Sequence, residues 1–136
     1  MKLDILSHCT IDTIQINNSK YVVPGGPGCY CSLTARILKF DVILHTKFGS
    51  DFPLVNYLVE QKITFEDALS TKHTTQFILN LANSERTLFL QNKCENISNI
   101  TLDSDSVIVS PLFDEISIEL FEEIKKNANF VLTPKF

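Results

Sequence analysis

Gly25-Gly26-Pro27-Gly28-Cys29-Tyr30-Cys31-Ser32-Leu33 decides how the rest of the chain is read. It holds three of the four glycines, and the fourth, Gly49, is the last in the sequence. A glycine cluster opening a helix lets backbone amides approach a ligand closely, because no Cβ intervenes and positive φ is open. With no glycine after position 49, a second such loop is not encoded in these 136 residues. A reaction that needs two glycine-built sites, one per reactant, is therefore only half present.

Working outward, residues 29–40 carry Tyr30, Leu33, Ile37 and Phe40 at spacings of three and four, which predicts an amphipathic helix on that stripe. Before the cluster, residues 13–16 and 20–23 are β-branched segments separated by Asn17-Asn18-Ser19, a hairpin. Residues 3–9 and 41–46 are apolar runs of the kind found in buried parallel strands. Gly49-Ser50-Asp51 breaks the chain, and Pro53 suits the first turn of a helix bearing Phe52, Val55 and Val59. A short strand is expected within 63–69. The alternation of Phe77, Leu79 and Leu81 with Gln76 and Asn80, then Asn83-Ser84-Glu85, then 86–91, predicts a second hairpin. A strand at 107–110, a helix at about 117–127 with Ile118, Phe121 and Ile124 on one face, and a strand at 130–133 follow.

Strand–helix–strand units in this order imply an α/β fold with a parallel sheet flanked by helices. The two hairpins interrupt it and are placed together as a small separate sheet. The length fits one domain with a real core. The apolar share of 44% with 21% charge excludes a disordered chain. A net charge of −4 argues against sequence-independent nucleic-acid binding, which needs clustered cations. No apolar run reaches the roughly 20 residues needed to cross a bilayer. The first nine residues make a poor signal peptide, so a cytoplasmic location is expected.

His8, Cys9, Cys29 and Cys31 offer the residue types of a metal site. Cys-x-Cys lacks the usual zinc spacing, and on a helix its thiols point about 200° apart, so no metal is expected and the cysteines are read as small buried hydrophobes. The sequons at Asn17, Asn96 and Asn99 are read as accidents of an Asn-rich composition.

Three nucleotide motifs fail. There is no Gly-Lys pair for a phosphate-binding loop, and Cys31 sits where a dinucleotide fingerprint needs its third glycine. Asp4 is alone where a receiver-type domain needs an acidic cluster. A fourth arrangement fits. Asp12 stands at the start of the first hairpin and the glycine cluster just after it, at the carboxyl edge of a parallel sheet. A carboxylate there accepts hydrogen bonds from a polyol while glycine amides and the helix N-terminus meet sugar oxygens. The alternative for Asp12 is a turn or cap residue.

The run Asp12…Gly25-Gly26-Pro27-Gly28-Cys29-Tyr30…Phe40-Asp41-Val42…Thr46-Lys47-Phe48-Gly49-Ser50-Asp51-Phe52, with Thr74-Thr75-Gln76-Phe77…Glu85-Arg86-Thr87-Leu88, resembles the amino-terminal half of the ribokinase-like carbohydrate kinases, the phosphofructokinase-B type. The resemblance spans almost the whole of 1–136 and implies the ribokinase-like fold, with lid segments at about 12–24 and 73–92. It implies transfer of the ATP γ-phosphate, with Mg, to a hydroxymethyl group of a sugar, nucleoside or related polyol. Asp12, Gly25 and Gly26 match acceptor-holding positions. Tyr30 stands where ribokinase itself has a sugar-bonding asparagine; an aromatic there either stacks on a ring or fills the core. The family's catalytic aspartate lies in a late Gly-Ala-Gly-Asp run, for which no glycine remains after Gly49. No catalytic residue is therefore expected here, and the C-terminal half of the fold, which binds ATP and Mg, is expected to be absent. The resemblance also implies a homodimer through the lid. A non-catalytic small-molecule-binding or dimerisation module of the same descent is the alternative.

Overall fold

A computed structural model of the chain describes residues 1–134. Two sheets divide the strands. The main sheet contains β1 (Lys2–Leu6), β4 (Asp41–His45), β7 (Ser106–Val109) and β8 (Phe130–Leu132) in the order β4-β1-β7-β8, with every pair parallel. The lid sheet contains β2 (Thr10–Ile16), β3 (Ser19–Gly25), β5 (Thr75–Ala82) and β6 (Glu85–Asn92) in the order β3-β2-β5-β6. Each hairpin is antiparallel, and the two join through parallel pairing of β2 with β5. The expected architecture, a parallel sheet with helices and a separate sheet of two hairpins, is the one observed. Asn17 at φ 53°, and Asn83 and Ser84 at 50° and 66°, make the hairpin turns, where short polar side chains tolerate the left-handed region best.

One core lies where β1 and β4 meet α1 (Pro27–Ile37) and α2 (Val55–Glu60), and contains Leu3, Ile5, Val42, Leu44, Phe48 and Leu58. A second core sits on the opposite face, where Leu6, Val107 and Val109 meet Ile124 of α3 (Ile118–Asn127). The two-residue alternation of strand side chains explains why Ile5 and Leu6 enter different cores.

Three sequence expectations are corrected. The buried stripe of α1 is Gly28, Cys29, Ser32 and Ala35, while Tyr30 and Ile37 are exposed. Small residues let the helix sit close to the sheet: a Cβ on Gly28 would lie 2.8 Å from the Ser7 carbonyl oxygen. Residues 63–69 make only isolated bridges, Ile43 with Thr64 and Phe48 with Leu69, because Lys62 and Asp67 at positive φ bend the segment at both ends. On α2 and α3, Val59 and Ile118 face solvent, and Leu58 and Ile124 carry the packing.

Asp4 is fully buried in the middle of β1. Its Oδ1 accepts from His45 Nε2 at 2.6 Å, and its Oδ2 from the Asp103 and Ser104 amides and the Ser104 hydroxyl at 2.8–3.0 Å. Burial alone would push this carboxyl up. The bonds from His45 and Ser104 outweigh it and hold the group below the usual carboxylate range. A buried carboxylate so fully satisfied ties the loop before β7 to the central strand.

Candidate functional site

Strand pairing builds the site. Asp12 lies directly opposite Val23 on β3 and Phe77 on β5, and Phe77 in turn opposite Leu90 on β6. Directly paired residues point to the same face, so Asp12 projects from a lid face whose next rank is Tyr21, Ile14, Leu79 and Leu88. One carboxylate thus stands at the base of an apolar wall. Gly25, paired with Thr10, lies beside it on the same face. A Cβ on Gly25 would overlap the Asp12 Oδ2, so the carboxylate occupies the room this glycine leaves. Gly26 turns the chain from β3 into α1 at φ 86°, and any side chain there would also meet the His8 carbonyl oxygen.

The polar atoms of this corner are incompletely satisfied. Asp12 Oδ1 and Thr10 Oγ1 are both buried without a hydrogen-bond partner. Burial pushes the Asp12 carboxyl above its ordinary range, and the nearby Thr10 hydroxyl and Phe77 backbone pull the other way only in part. Buried oxygens left open in this way are the complement of a ligand that brings hydroxyl groups.

Of the four residues expected at an acceptor site, Asp12, Gly25 and Gly26 come together. The Tyr30 hydroxyl donates to the Pro24 carbonyl at 3.0 Å, and its ring lines an apolar groove with Leu3, Leu38, Phe40 and Ile108. Thr10 is a member of the corner that sequence reading missed. Its signal was only its spacing of two from Asp12 along a strand.

The amides that open α1 have partners inside the fold. Pro27 has no N–H, the Gly28 amide donates to the His8 carbonyl at 3.2 Å, and the Cys29 amide donates to the Gly26 carbonyl at 3.1 Å. The first turn of α1 therefore has its amides committed within the fold and does not fit the phosphate of a nucleotide. Among the described residues no group of three or more His, Cys, Asp or Glu side chains is placed to hold a metal ion. All four cysteines are thiols; Cys9, Cys29 and Cys94 are buried, and burial pushes the Cys9 thiol up to about 12. No helix among the described residues is long and apolar enough to cross a membrane.

No protein-family model matches the chain, and no curated protein matches it in sequence. Solved structures do match. A pyrophosphate-dependent kinase in the ribokinase family, complexed with a pyrophosphate analog and myo-inositol, superposes with a TM-score of 0.80 at 16% identity over 96% of this chain and 48% of its own. The fold is ribokinase-like. Ribokinase from Giardia lamblia matches with a TM-score of 0.75 at 18% identity, over 97% of this chain and 50% of its own. Ribokinase from Cryptococcus neoformans in complex with ADP matches at 0.72 and 14%, over 99% and 50%. The chain spans about half the length of these ribokinase-like structures.

Proposed function

We propose that this chain is the acceptor-binding and lid portion of a kinase that phosphorylates a hydroxymethyl group of a sugar, nucleoside or cyclic polyol. The observation that carries the reading is the Asp12 corner: a carboxylate with one buried, unpartnered oxygen, seated in the room Gly25 leaves, below an apolar wall. Two structural neighbours are described with an acceptor or a nucleotide, myo-inositol in one and ADP in another, which supports the class without fixing the member. Asp12 accepts hydroxyl hydrogens, Thr10 donates or accepts beside it, and the apolar wall covers the ring face of the acceptor. Gly25 and Gly26 keep the approach open. The phosphoryl donor, ATP with Mg or pyrophosphate, is not assigned to residues of this chain, and neither is a catalytic base.

The lid tip supports an association. Tyr21 and Leu88 on the Asp12 face and Val22 and Phe89 on the other are each more than half exposed, whereas Phe77 is buried within the chain. A homodimer joined through the lid would cover this surface.

A thermal-shift screen of ribose, myo-inositol and nucleosides, each with wild type and Asp12→Ala, tests the acceptor reading. At least one of them should raise the wild-type midpoint and leave Asp12→Ala unmoved, since only a ligand preferring the native state shifts the midpoint. A panel without effect on wild type, or an equal shift in both proteins, contradicts it. The second reading, a non-catalytic binding module, shares this outcome. It separates on turnover when the chain is supplied together with the remaining half of a ribokinase-like kinase.

A further inference from the structure

Four stretches of chain cross between the main sheet and the lid, and all four meet at His8. The first is His8 itself, between β1 and β2. The second is the turn from β3 into α1, where the Gly28 amide donates to the His8 carbonyl at 3.2 Å. The third enters β5 at Thr75, whose hydroxyl lies 2.8 Å from His8 Nδ1. The fourth leaves β6 through Cys94 and Glu95, and the Glu95 carbonyl lies 2.8 Å from His8 Nε2. The ring is 1% exposed.

The partners fix the tautomer. A carbonyl oxygen only accepts, so Nε2 carries the hydrogen and donates to Glu95. In the neutral ring Nδ1 is then an acceptor, and the Thr75 hydroxyl donates to it. The Thr75 oxygen is left to accept the Cys94 amide, which it does at 3.0 Å. Every donor in this chain of bonds has an acceptor, and the third and fourth crossings are fastened to each other as well as to the ring. Glu115 and Lys93 are the charged groups that act on the imidazole, and Glu95 reaches it only through its backbone carbonyl; burial dominates them and pushes the ring below its ordinary value, in keeping with a neutral ring.

We infer that His8, as the neutral Nε2–H tautomer, is the positioning residue that sets the lid on the main sheet and so aims Thr10 and Asp12, two and four residues further along the chain in β2, at the acceptor. The clause about the acceptor rests on the function proposed above; the clamp itself does not. A histidine that merely filled space would couple the lid and the main sheet no more than any other core residue does.

The test reads the lid without any ligand. Amide hydrogen exchange is followed in β5 and β6 and, as the internal reference, in β1, β4 and β7, for wild type, His8→Gln and His8→Ala; ring 15N shifts of His8 are recorded in wild type. Gln keeps a donor at the reach of Nε2, so it preserves the Glu95 bond. The expected result is an Nε2–H neutral ring at pH 7, lid amides that exchange about tenfold faster or more in His8→Ala with the main sheet unchanged, and recovery of most of that protection in His8→Gln. An Nδ1–H or charged ring, lid and main sheet weakened together, or no selective change in the lid overturns the clamp. If His8→Ala does not fold, an Nε2–H neutral ring with lid protection in His8→Gln within tenfold of wild type supports the clamp, and an Nδ1–H or charged ring, or lid and main sheet weakened together in His8→Gln, overturns it. Affinity for myo-inositol or ribose is then compared: a wild type that binds neither sinks the acceptor function but not the clamp, whereas binding equal in wild type and His8→Ala sinks the aiming role.

Discussion

Asp12 is held where its charge is costly. Its folded-state pKa is raised above the ordinary 3.8, chiefly by burial, so the folded protein binds more protons than the unfolded chain around that value. Stability from this group is fully present below about pH 3.8 and is lost as pH rises through the raised pKa. Asp12→Asn removes the penalty while keeping the shape. We expect its melting temperature to exceed that of wild type at pH 7 and the gap to close toward pH 4; a variant less stable than wild type at pH 7 would mark Asp12 as a structural residue. Gly25→Ala makes a second test. Its Cβ displaces the Asp12 carboxylate, so any acceptor affinity should fall about tenfold or more with the far-UV spectrum preserved. That Asp12, Gly25 and Gly26 meet in one corner was legible in the sequence, because three of the four glycines cluster just after the hairpin that Asp12 opens. His8 was not. Its ring partners lie 67 and 87 residues away, and no local pattern records a bond of that span.

Elements were legible where one period dominated. The second hairpin alternated cleanly and forms β5 and β6. Helix α1 was legible as a helix but not in its facing. Periodicity follows large apolar residues, and here Tyr30 and Ile37 stand outward because the sheet accepts only the small stripe of Gly28, Cys29, Ser32 and Ala35. The partners of Asp4, like those of His8, were not legible, since its amide and hydroxyl donors lie about 100 residues on. Removing it leaves those partly buried donors and the His45 ring without their acceptor. Asp4→Ala should therefore cost about 1–3 kcal/mol in urea unfolding. The sign with pH is opposite to that of Asp12. A lowered pKa gives stability that is present above about 3.8 and lost as pH falls through the folded value. Wild type should lose stability more steeply than Asp4→Asn between pH 4 and pH 2, and parallel curves would contradict the clamp of the 103–104 loop to β1.

At the scale of the molecule, the main sheet is a platform and the lid a separate sheet raised from its carboxyl edge, an arrangement the strand order alone allowed to be read. The side of the lid that stays open was not readable: alternation shows that Phe77, Leu79 and Leu81 share a face, but not that Phe77 is covered while Leu88 opposite Leu79 is exposed. This moves the test of association to the tip. Sedimentation at micromolar concentration should show a dimer, and Leu88→Lys should return it to a folded monomer; a wild-type monomer contradicts the lid interface. Whether the Asp12 corner of the lid receives a polyol is tested most directly by amide NMR shifts during titration with myo-inositol and ribose. Saturable shifts at Thr10, Asp12, Gly25, Gly26 and Phe77 are expected for at least one of them. Shifts confined instead to the polar cavity of about 380 Å3 lined by His45, Lys47, Asn99 and Asp103, or no saturable shift with either compound, would contradict it.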